Sequence, residues 1–428
     1  MKRLVKVFIA LSLFNLPGFG QNDSVSLFEC FEAARNHAAL KPQLLTMSEI
    51  TDLRIASSKV TNLPQLNAYG KAWYQSDAMS VSLNGITAFE IDPFQYNLGL
   101  EADQKLFDGG LSKKNIDLET VNLEAETERI EAEIYQINNQ VVQYFFGSIL
   151  YTRNLEVVRL KEEILYKRIN ELQSAFDNGA ISRNELDKLN SEVMTNRQQI
   201  IEIEKLRLQA LNGLKMLTGF ELGPEVILIV PDSLLEIKTS IRPEYRYFDA
   251  ESRRLQSMVS LKTLQNMPKL YAYGQLGYSY PGLNYFENQS DYYYMVGAKL
   301  SWTIFDWRQV SREKQMIRKQ QEIVVTKQTD FERKTNQLID NEKIEQEKLR
   351  ELILLDKKII VQRNSIATGS ASALQNGMIT SAVYLEDLNN EIRARIEMES
   401  HKIQFMNSIV RMYLLYGIDT NNSQIETE

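Results

Sequence analysis

The chain has 428 residues, 43% hydrophobic and 25% charged, with a net charge of −7. That balance offers no basic patch for nucleic acid. Two histidines (His37, His401) and one cysteine (Cys30) argue against a metal centre and exclude a disulfide within one chain.

Residues 1–20 read as a secretory signal peptide: Lys2, Arg3 and Lys6, an apolar core from Val7 to Leu16, then Pro17 and small residues. Cleavage is expected after Gly20. The apolar core is too short to span about 30 Å of hydrocarbon. No cysteine sits at the cleavage site to carry a lipid, and Cys30 reads as a buried apolar side chain. The remaining chain has no run of about 18 apolar residues. Any passage through a membrane would therefore use a β-barrel.

Residues 21–62 are expected to hold an N-terminal helix that leads into a first strand pair, 63–107. Within it, FQYNLGLEADQKLF (94–107) alternates. Phe94, Tyr96, Leu98, Leu100 and Ala102 point one way; Gln95, Asn97, Gly99, Glu101, Asp103 and Lys105 point the other. Period 2 is a strand with one apolar and one polar face. Its length suits a tilted membrane strand, lipid outside and water inside. Tyr69, Trp73 and Tyr74 would serve as interfacial aromatics. The alternation alone fits a soluble half-buried sheet as well.

At Phe107-Asp108 the pattern turns helical. Residues 108–219 read as a coiled-coil hairpin. Ile116, Leu123, Ile130, Ile137, Tyr144, Tyr151 and Val158 recur every seven residues, with Ile134, Val141 and Leu155 on the second seam position. Asn178-Gly179 marks the turn, Ser182 can cap the return helix, and Gly219 ends it. Residues 220–266 hold a short apolar run between Pro224 and Pro231, expected as a small strand, then a linking helix from 242. A second strand pair follows at 267–305, with Tyr292, Tyr294, Val296, Ala298, Leu300, Trp302 and Ile304 on one face. A second hairpin, 306–417, repeats the heptads at Ile317, Val324, Phe331, Leu338, Leu352, Ile359 and Ile366. It turns at Asn376-Gly377, with Thr380 as its cap, and leaves a tail, 418–428.

The two halves are copies. LPQLNAYGKAWY (63–74) matches MPKLYAYGQLGY (267–278), and LFDGG matches IFDWR. Asp108 to Asp306, Gly179 to Gly377 and Gly219 to Gly417 are each 198 residues apart (306 − 108, 377 − 179, 417 − 219). Loops tolerate insertions, so a constant length points to a rod. About 65 residues at 1.5 Å each make roughly 100 Å. Four strands cannot close a barrel, and hydrocarbon does not solvate an open edge. Three copies give twelve strands with room for a lumen, and six hairpins for a helical tube. Dimer and tetramer remain open on the residues alone.

In this order of features the chain resembles the TolC-like outer-membrane efflux proteins. The resemblance rests on the duplicated halves, the strand pairs, Leu/Ile-Phe-Asp before the long helix, and an aromatic-x-x-Gly tip carried by Phe176-Asp177-Asn178-Gly179. The second tip departs, with Leu374 for the aromatic, and follows the Gly/Ser/Ala-rich ATGSASA (367–373). The resemblance implies a mainly α fold with a membrane β-barrel: a homotrimer whose 12-stranded barrel sits in the outer membrane, among its lipid, and whose helices form a tunnel through the periplasm. It implies a channel-tunnel for a tripartite efflux or type I secretion system, docking a periplasmic adaptor (membrane fusion protein) and an inner-membrane pump. A periplasmic coiled-coil scaffold or adaptor is the competing reading, but it leaves the four amphipathic strands unexplained. A secretion port dedicated to one protein is a further alternative.

No catalytic motif or cofactor fingerprint emerges, and neither an enzyme nor a bound cofactor is expected. Glu185, Asp187, Glu386 and Asp387, just past the turns, are candidate pore-entrance carboxylates, because a ring of carboxylates favours cations. Gly179, Ile181, Gly377 and Ile379 are candidate adaptor-docking tips. Phe107, Asp108, Phe305 and Asp306 are the barrel-to-helix junctions. Each Asp is expected to accept from free N–H groups of the following helix, and each Phe to pack under the barrel rim. Gly109-Gly110 would leave the first junction loose and Trp307-Arg308 would stiffen the second.

Overall fold

The computed structural model describes residues 24–77, 80–83, 86–230 and 242–417. The expected signal peptide, the C-terminal tail and part of the linking segment lie outside these residues. In chain order the elements are strand β1 (Ser24–Ser26), helices α1 (Leu27–His37) and α2 (Lys41–Val60), and strands β2 (Gln65–Tyr74), β3 (Ser80–Leu83), β4 (Ile86–Glu90) and β5 (Phe94–Phe107). Helices α3 (Leu111–Tyr135), α4 (Ile137–Asp177) and α5 (Arg183–Thr218), strand β6 (Ile227–Ile229) and helix α6 (Pro243–Leu264) follow. Strands β7 (Lys269–Tyr280) and β8 (Asp291–Ser301) and helices α7 (Gln309–Gln375) and α8 (Ser381–Tyr416) complete the chain. They fall into two compact units. A hairpin unit takes 1–39, 134–240 and 337–428; a sheet unit takes 40–133 and 241–336.

The sheet unit holds one antiparallel sheet in the order β2-β5-β7-β8. Both expected strand pairs form. Gln65 faces Asp103 in the first and Lys269 faces Ser301 in the second. The hairpin loops differ in length: 94 − 74 = 20 positions in the first, 292 − 278 = 14 in the second. The longer one carries the β3–β4 ladder, which the alternation pattern did not reveal. Leu255 and Val259 of α6 are buried with Ile317 and Val324 of α7, the first two heptad positions read from the second copy.

The hairpin unit is built on a core of Val25, Leu27, Cys30, Phe31, Val141, Phe145, Leu211, Leu214 and Val410, among others. Helix α1 starts with a capping box: Ser26 and Glu29 exchange side-chain and backbone hydrogen bonds at 3.3 and 2.7 Å. The predicted N-terminal helix is thus two helices, broken at Ala38–Leu40 before Pro42. The apolar run between the prolines does form a strand, and β6 pairs in parallel with β1. Cys30 is fully buried. Burial, helped by the charge of Glu29, pushes its thiol up to about 12, so it is an inert core residue.

The first heptad series holds: Ile130, Ile134, Val141, Leu155 and Val158 are all buried, although the helix is interrupted at Gln136. The second series drifts off phase. Leu338, Ile359 and Ile366 are 46%, 46% and 45% exposed, while Thr335, Ile339, Glu342, Gln346, Leu349 and Asp356 are buried. Between 335 and 356 the buried stripe of α7 is mostly polar, with only Ile339 and Leu349 apolar among these six, so beyond the first two positions apolar spacing picked several residues that face outward from the single chain.

Candidate functional sites: the sheet, the junctions and the tips

The sheet carries one chemistry per face across all four strands. The rung Leu66–Ala102–Gly274–Val296 is apolar, as are Ala68–Leu100–Leu276–Tyr294 and Gly70–Leu98–Tyr278–Tyr292. The intervening rungs, such as Asn67–Glu101–Gln275–Met295, are mainly polar. A one-residue slip in any ladder would mix the faces. On the apolar face Leu66, Leu276, Tyr292, Tyr294 and Val296 are 62–81% exposed. A continuous apolar face of this size marks contact with lipid or protein.

On the polar face one rung reads Tyr69–Gly99–Gly277–Tyr293. The two phenols lie over the two glycines and meet at 2.7 Å, and the Tyr293 hydroxyl also donates to Asn97 at 2.9 Å. A Cβ at Gly277 would come within 2.5–2.6 Å of the Tyr293 ring. The glycines let the rings lie flat against the wall instead of standing into the space above it. The alternation placed these residues on one face but gave no hint that they form one unit.

At each junction an Asp side chain, three residues before the helix begins, accepts from backbone N–H groups at its start. Asp108 accepts from the N–H of Gly110 (3.1 Å) and Ser112 (2.9 Å); Asp306 accepts from Arg308 (2.9 Å) and Val310 (3.1 Å). Burial alone would raise the Asp108 carboxyl. The Ser112 hydroxyl and N–H and the Lys105 ammonium outweigh it, so the group lies below the usual Asp range. Asp306 is held low chiefly by the Asn266 amide at 2.7 Å, with the Val310 N–H adding to it. Asn62 stands at the matching place in the first copy, its side chain 3.0 Å from Ser112 Oγ. These asparagines were missed. Their signal was available: Asn-Leu-Pro and Asn-Met-Pro open the two matching strand stretches.

Two junction expectations need correction. Phe107 and Phe305 do not pack under a rim within the chain; they are 55% and 67% exposed, and Phe305 meets Trp307 edge to face at 4.8 Å. The backbones do not differ in kind either. Gly109 and Gly110 have φ of 69° and 87°, Trp307 and Arg308 have 51° and 62°. The second junction makes the same left-handed turn without glycine. An L-residue there costs about 1–2 kcal/mol.

The two tips make the same backbone hydrogen bonds at matching positions. Gly179 N–H donates to Phe176 O (2.8 Å) and Ala180 N–H to Ala175 O (2.9 Å); Gly377 N–H donates to Leu374 O (3.0 Å) and Met378 N–H to Ala373 O (2.9 Å). Both glycines sit near φ 70° with open space where a Cβ would lie, so glycine serves the turn. Ile181 and Ile379 pack inward with Phe176 onto a core of Leu172, Leu186, Leu189, Leu374 and Tyr384. The apolar side chain facing outward is Met378, 70% exposed, which sequence reading passed over. Ser182 and Thr380 occupy the N-cap positions but their hydroxyls make no cap bond.

The four carboxylates divide into two kinds. Glu185 accepts from the Ser381 N–H at 2.6 Å and from Lys188 at 3.0 Å. Burial would raise it, but these partners hold it below the usual Glu range. It ties the first tip to the start of α8. Asp387 accepts from the Ser370 hydroxyl. Asp187, with Arg183 at 3.8 Å, and Glu386 are exposed. Among the described residues no group of three His, Cys, Asp or Glu side chains is placed to hold a metal ion, and no helix is long and apolar enough to cross a membrane.

Comparison with known proteins agrees with this geometry. Residues 52–220 match the family model described as outer membrane efflux protein. That stretch is close to one copy of the repeat, from α2 through the first hairpin. No curated protein sequence matches the chain. Among solved structures, the chain is similar to CusC, described as undergoing conformational changes in folding and transmembrane channel formation. The TM-score is 0.70 at 15% identity, covering 94% of this chain and 93% of that one. It is similar to the outer membrane protein VceC of Vibrio cholerae (TM-score 0.65, 13% identity, 91% and 96% covered) and to the CmeC outer membrane channel of Campylobacter jejuni (0.61, 15%, 92% and 87%). Residues 52–220 thus match the outer membrane efflux protein family, and along nearly its whole length the chain shares the fold of solved outer membrane channels.

Proposed function

We propose that three copies close their four-stranded sheets into one 12-stranded barrel, with the apolar face to lipid and the polar face to a water-filled lumen, and that the hairpins extend this path through the periplasm for export. The observation that carries this reading is the in-phase alternation of four strands in one sheet. Neither β2 nor β8 has a partner on its outer edge among the described residues, and hydrocarbon does not accept an open edge. Outward apolar residues of α7, including Ile344, Leu354 and Val361 at 61–66% exposure, also fit burial between copies. The test is direct. Purified protein should have the mass of three chains, fractionate with outer membranes and conduct ions in planar bilayers. A monomer that conducts nothing would sink the reading.

The tips are the proposed docking end for a periplasmic adaptor serving an inner-membrane pump, with Gly179, Gly377 and Met378 as the outward contact. Export and adaptor cross-linking should both fail in a Gly179→Asp/Gly377→Asp pair; if both persist, the contact lies elsewhere. Of the carboxylates, Asp187 and Glu386 are the ones left exposed to line an entrance. Neutralising both should lower cation preference in single-channel recordings, whereas Asp387→Asn, whose carboxylate is already engaged, should change it less.

A further inference from the structure

The duplication contains more than a count of strands. It contains a seam. Inside the chain, β5 of the first copy pairs with β7 of the second, with position numbers summing to 376, from Tyr96 opposite Tyr280 to Lys105 opposite Tyr271. A bulge follows, and Phe107 lies opposite Leu270. The equivalent seam in an assembly joins β8 of one copy to β2 of the next. Leading strands map by 267 − 63 = 204 and trailing strands by 306 − 108 = 198. The map holds at the level of single rungs: Gln65–Asp103 becomes Lys269–Ser301, which is a rung of the second pair. It also carries Asn62 and Asp108 onto Asn266 and Asp306.

Resting on the trimer reading above, we propose that β8 pairs with β2 of the next copy in the register whose position numbers sum to 370 (376 + 198 − 204). Val296 then faces Tyr74, Ala298 faces Ala72, Leu300 faces Gly70, and Trp302 faces Ala68. Phe305 faces Leu66 after a bulge at Ile304. From Val296 onward every lipid-side residue of β8 meets a lipid-side residue of β2, as closure demands. Two further observations fit. The edge strands are the exposed ones, while β7 is half-buried along nearly its whole length. And β8 stops at Ser301, although the matching strand β5 runs four residues further, to Phe107, where only β7 holds it. Residues 302–305 are the stretch that lacks its partner; Trp302, Ile304 and Phe305 are 58–79% exposed. The correspondence ends at the turn. Gly109 packs so tightly on Met267 that a Cβ there would collide with it. Trp307 carries a Cβ, so Leu63 of the next copy must sit further out.

The register has a chemical consequence in the lumen. It sets Lys299 directly opposite Lys71 of the next copy. The residues flanking this pair on the polar face are Gly297, Ser301, Tyr271, Tyr69, Trp73 and Asn97, and none is acidic. Like charges face to face across a rung repel. Three seams give a belt of six ammonium groups that exists only between copies, and such a belt draws anions toward the barrel.

Engineered cysteine pairs in the full-length protein read the register. Ala298→Cys with Ala72→Cys (sum 370) should oxidise to a covalent trimer. Ala298→Cys with Gly70→Cys (368) and Leu300→Cys with Ala72→Cys (372) should not. Charge reversal reads it independently: Lys71→Glu or Lys299→Glu alone should raise the temperature at which the trimer dissociates, and the double reversal should return it to the starting value. Purely additive shifts, a cross-link at 368 or 372, or none at 370 in a protein that is still trimeric would overturn the register and leave the trimer standing. A monomeric protein would overturn both. Under a salt gradient, Lys71→Gln with Lys299→Gln should move the reversal potential toward cation preference; an unchanged potential overturns the belt.

Discussion

The two hairpins share a turn and a length but not a seam. Mapping one on the other by 198 residues pairs unlike chemistries at the same positions. Leu172 and Leu189 lie in one apolar core; their counterparts, Ser370 and Asp387, hydrogen-bond to each other. Val158 and Ile203 share another core; their counterparts, Asp356 and His401, meet at 2.6 Å. Tyr144 lies over Gly213, 2.6–2.7 Å from where a Cβ would be; their counterparts, Glu342 and Arg411, form an ion pair at 2.9 Å. The turn requires a particular backbone, so both copies keep its glycine. The seam requires only two surfaces that fit, so its chemistry has been free to change. Apolar burial is worth about 25 cal/mol per Å², whereas a hydrogen bond to a charged group nets about 1.5–3 kcal/mol and leaves an unpaired charge costly. The second hairpin is therefore expected to be the less stable along its seam, which the exchanges below test.

Crossing the chemistries tests this most severely. Leu189→Asp alone puts a carboxylate into the first seam with nothing opposite it. The expected loss is about 3–5 kcal/mol, as for a buried charge stripped of its partner. Adding Leu172→Ser recreates the polar pair of the second hairpin and should recover part of the loss, a coupling of about 0.5–3 kcal/mol between positions in contact. Thermal or chemical unfolding in detergent measures both. Equal losses with and without the serine would mean that these positions do not pair.

The reverse exchange should be gentler. Ser370→Leu with Asp387→Leu gives the second hairpin the seam of the first and should stabilise it, by roughly 1 kcal/mol or more. Glu342→Gln acts in the same direction. Burial raises its carboxyl above the usual range in spite of Arg411, so the folded state disfavours its charge. The stability gained by protonation is present at low pH and lost as pH rises from the unfolded pKa through the raised folded one. Removing the charge should therefore help at neutral pH and matter little in acid. Slower hydrogen exchange along α7 and α8 would report both changes; faster exchange would mean that the polar seam is the better glue.

The junctions give a smaller contrast, with the opposite sign. Asp108 and Asp306 are both held below the usual Asp range. Their contribution is fully present above the unfolded pKa, about 3.9, and is lost as pH falls through the lowered folded values. Protease sensitivity at 108–112 and 306–310 should rise together below about pH 4. A Leu substitution at Asn266 should move the second threshold upward and leave the first in place.

How much of this was legible follows the same division. Features fixed by backbone demands could be read: the Asn-Gly turns, the Phe-Asp caps and the alternating strands each tie one residue type to one conformation. The α7 seam could not, because heptad reading assumes that buried means apolar. There Glu342, Gln346 and Asp356 are buried while Leu338 and Ile359 face outward. The Tyr69–Tyr293 contact could not either, because it joins positions 224 residues apart and depends on two glycines lying between them. Asn62 and Asn266 were within reach, one residue before the matched stretches began.

The smallest expected effect tests whether the second junction is strained or only stiff. Trp307→Gly removes an L side chain from a left-handed backbone, worth about 1–2 kcal/mol, but also frees the unfolded chain, which returns about 0.4–1 kcal/mol. The net should be a stabilisation of roughly 0.5–1 kcal/mol for the isolated chain. Gly109→Trp in the first copy should cost more than backbone strain alone, because Met267 occupies the space where the Cβ must go. If Trp307→Gly instead weakens the assembled protein while stabilising the separated chain, the indole is spending its strain on a contact that only the next copy supplies. Denaturant unfolding of the separated chains, run beside thermal dissociation of the trimer, separates the two cases. A loss in both would mean that the left-handed turn at Trp307 carries no strain worth relieving.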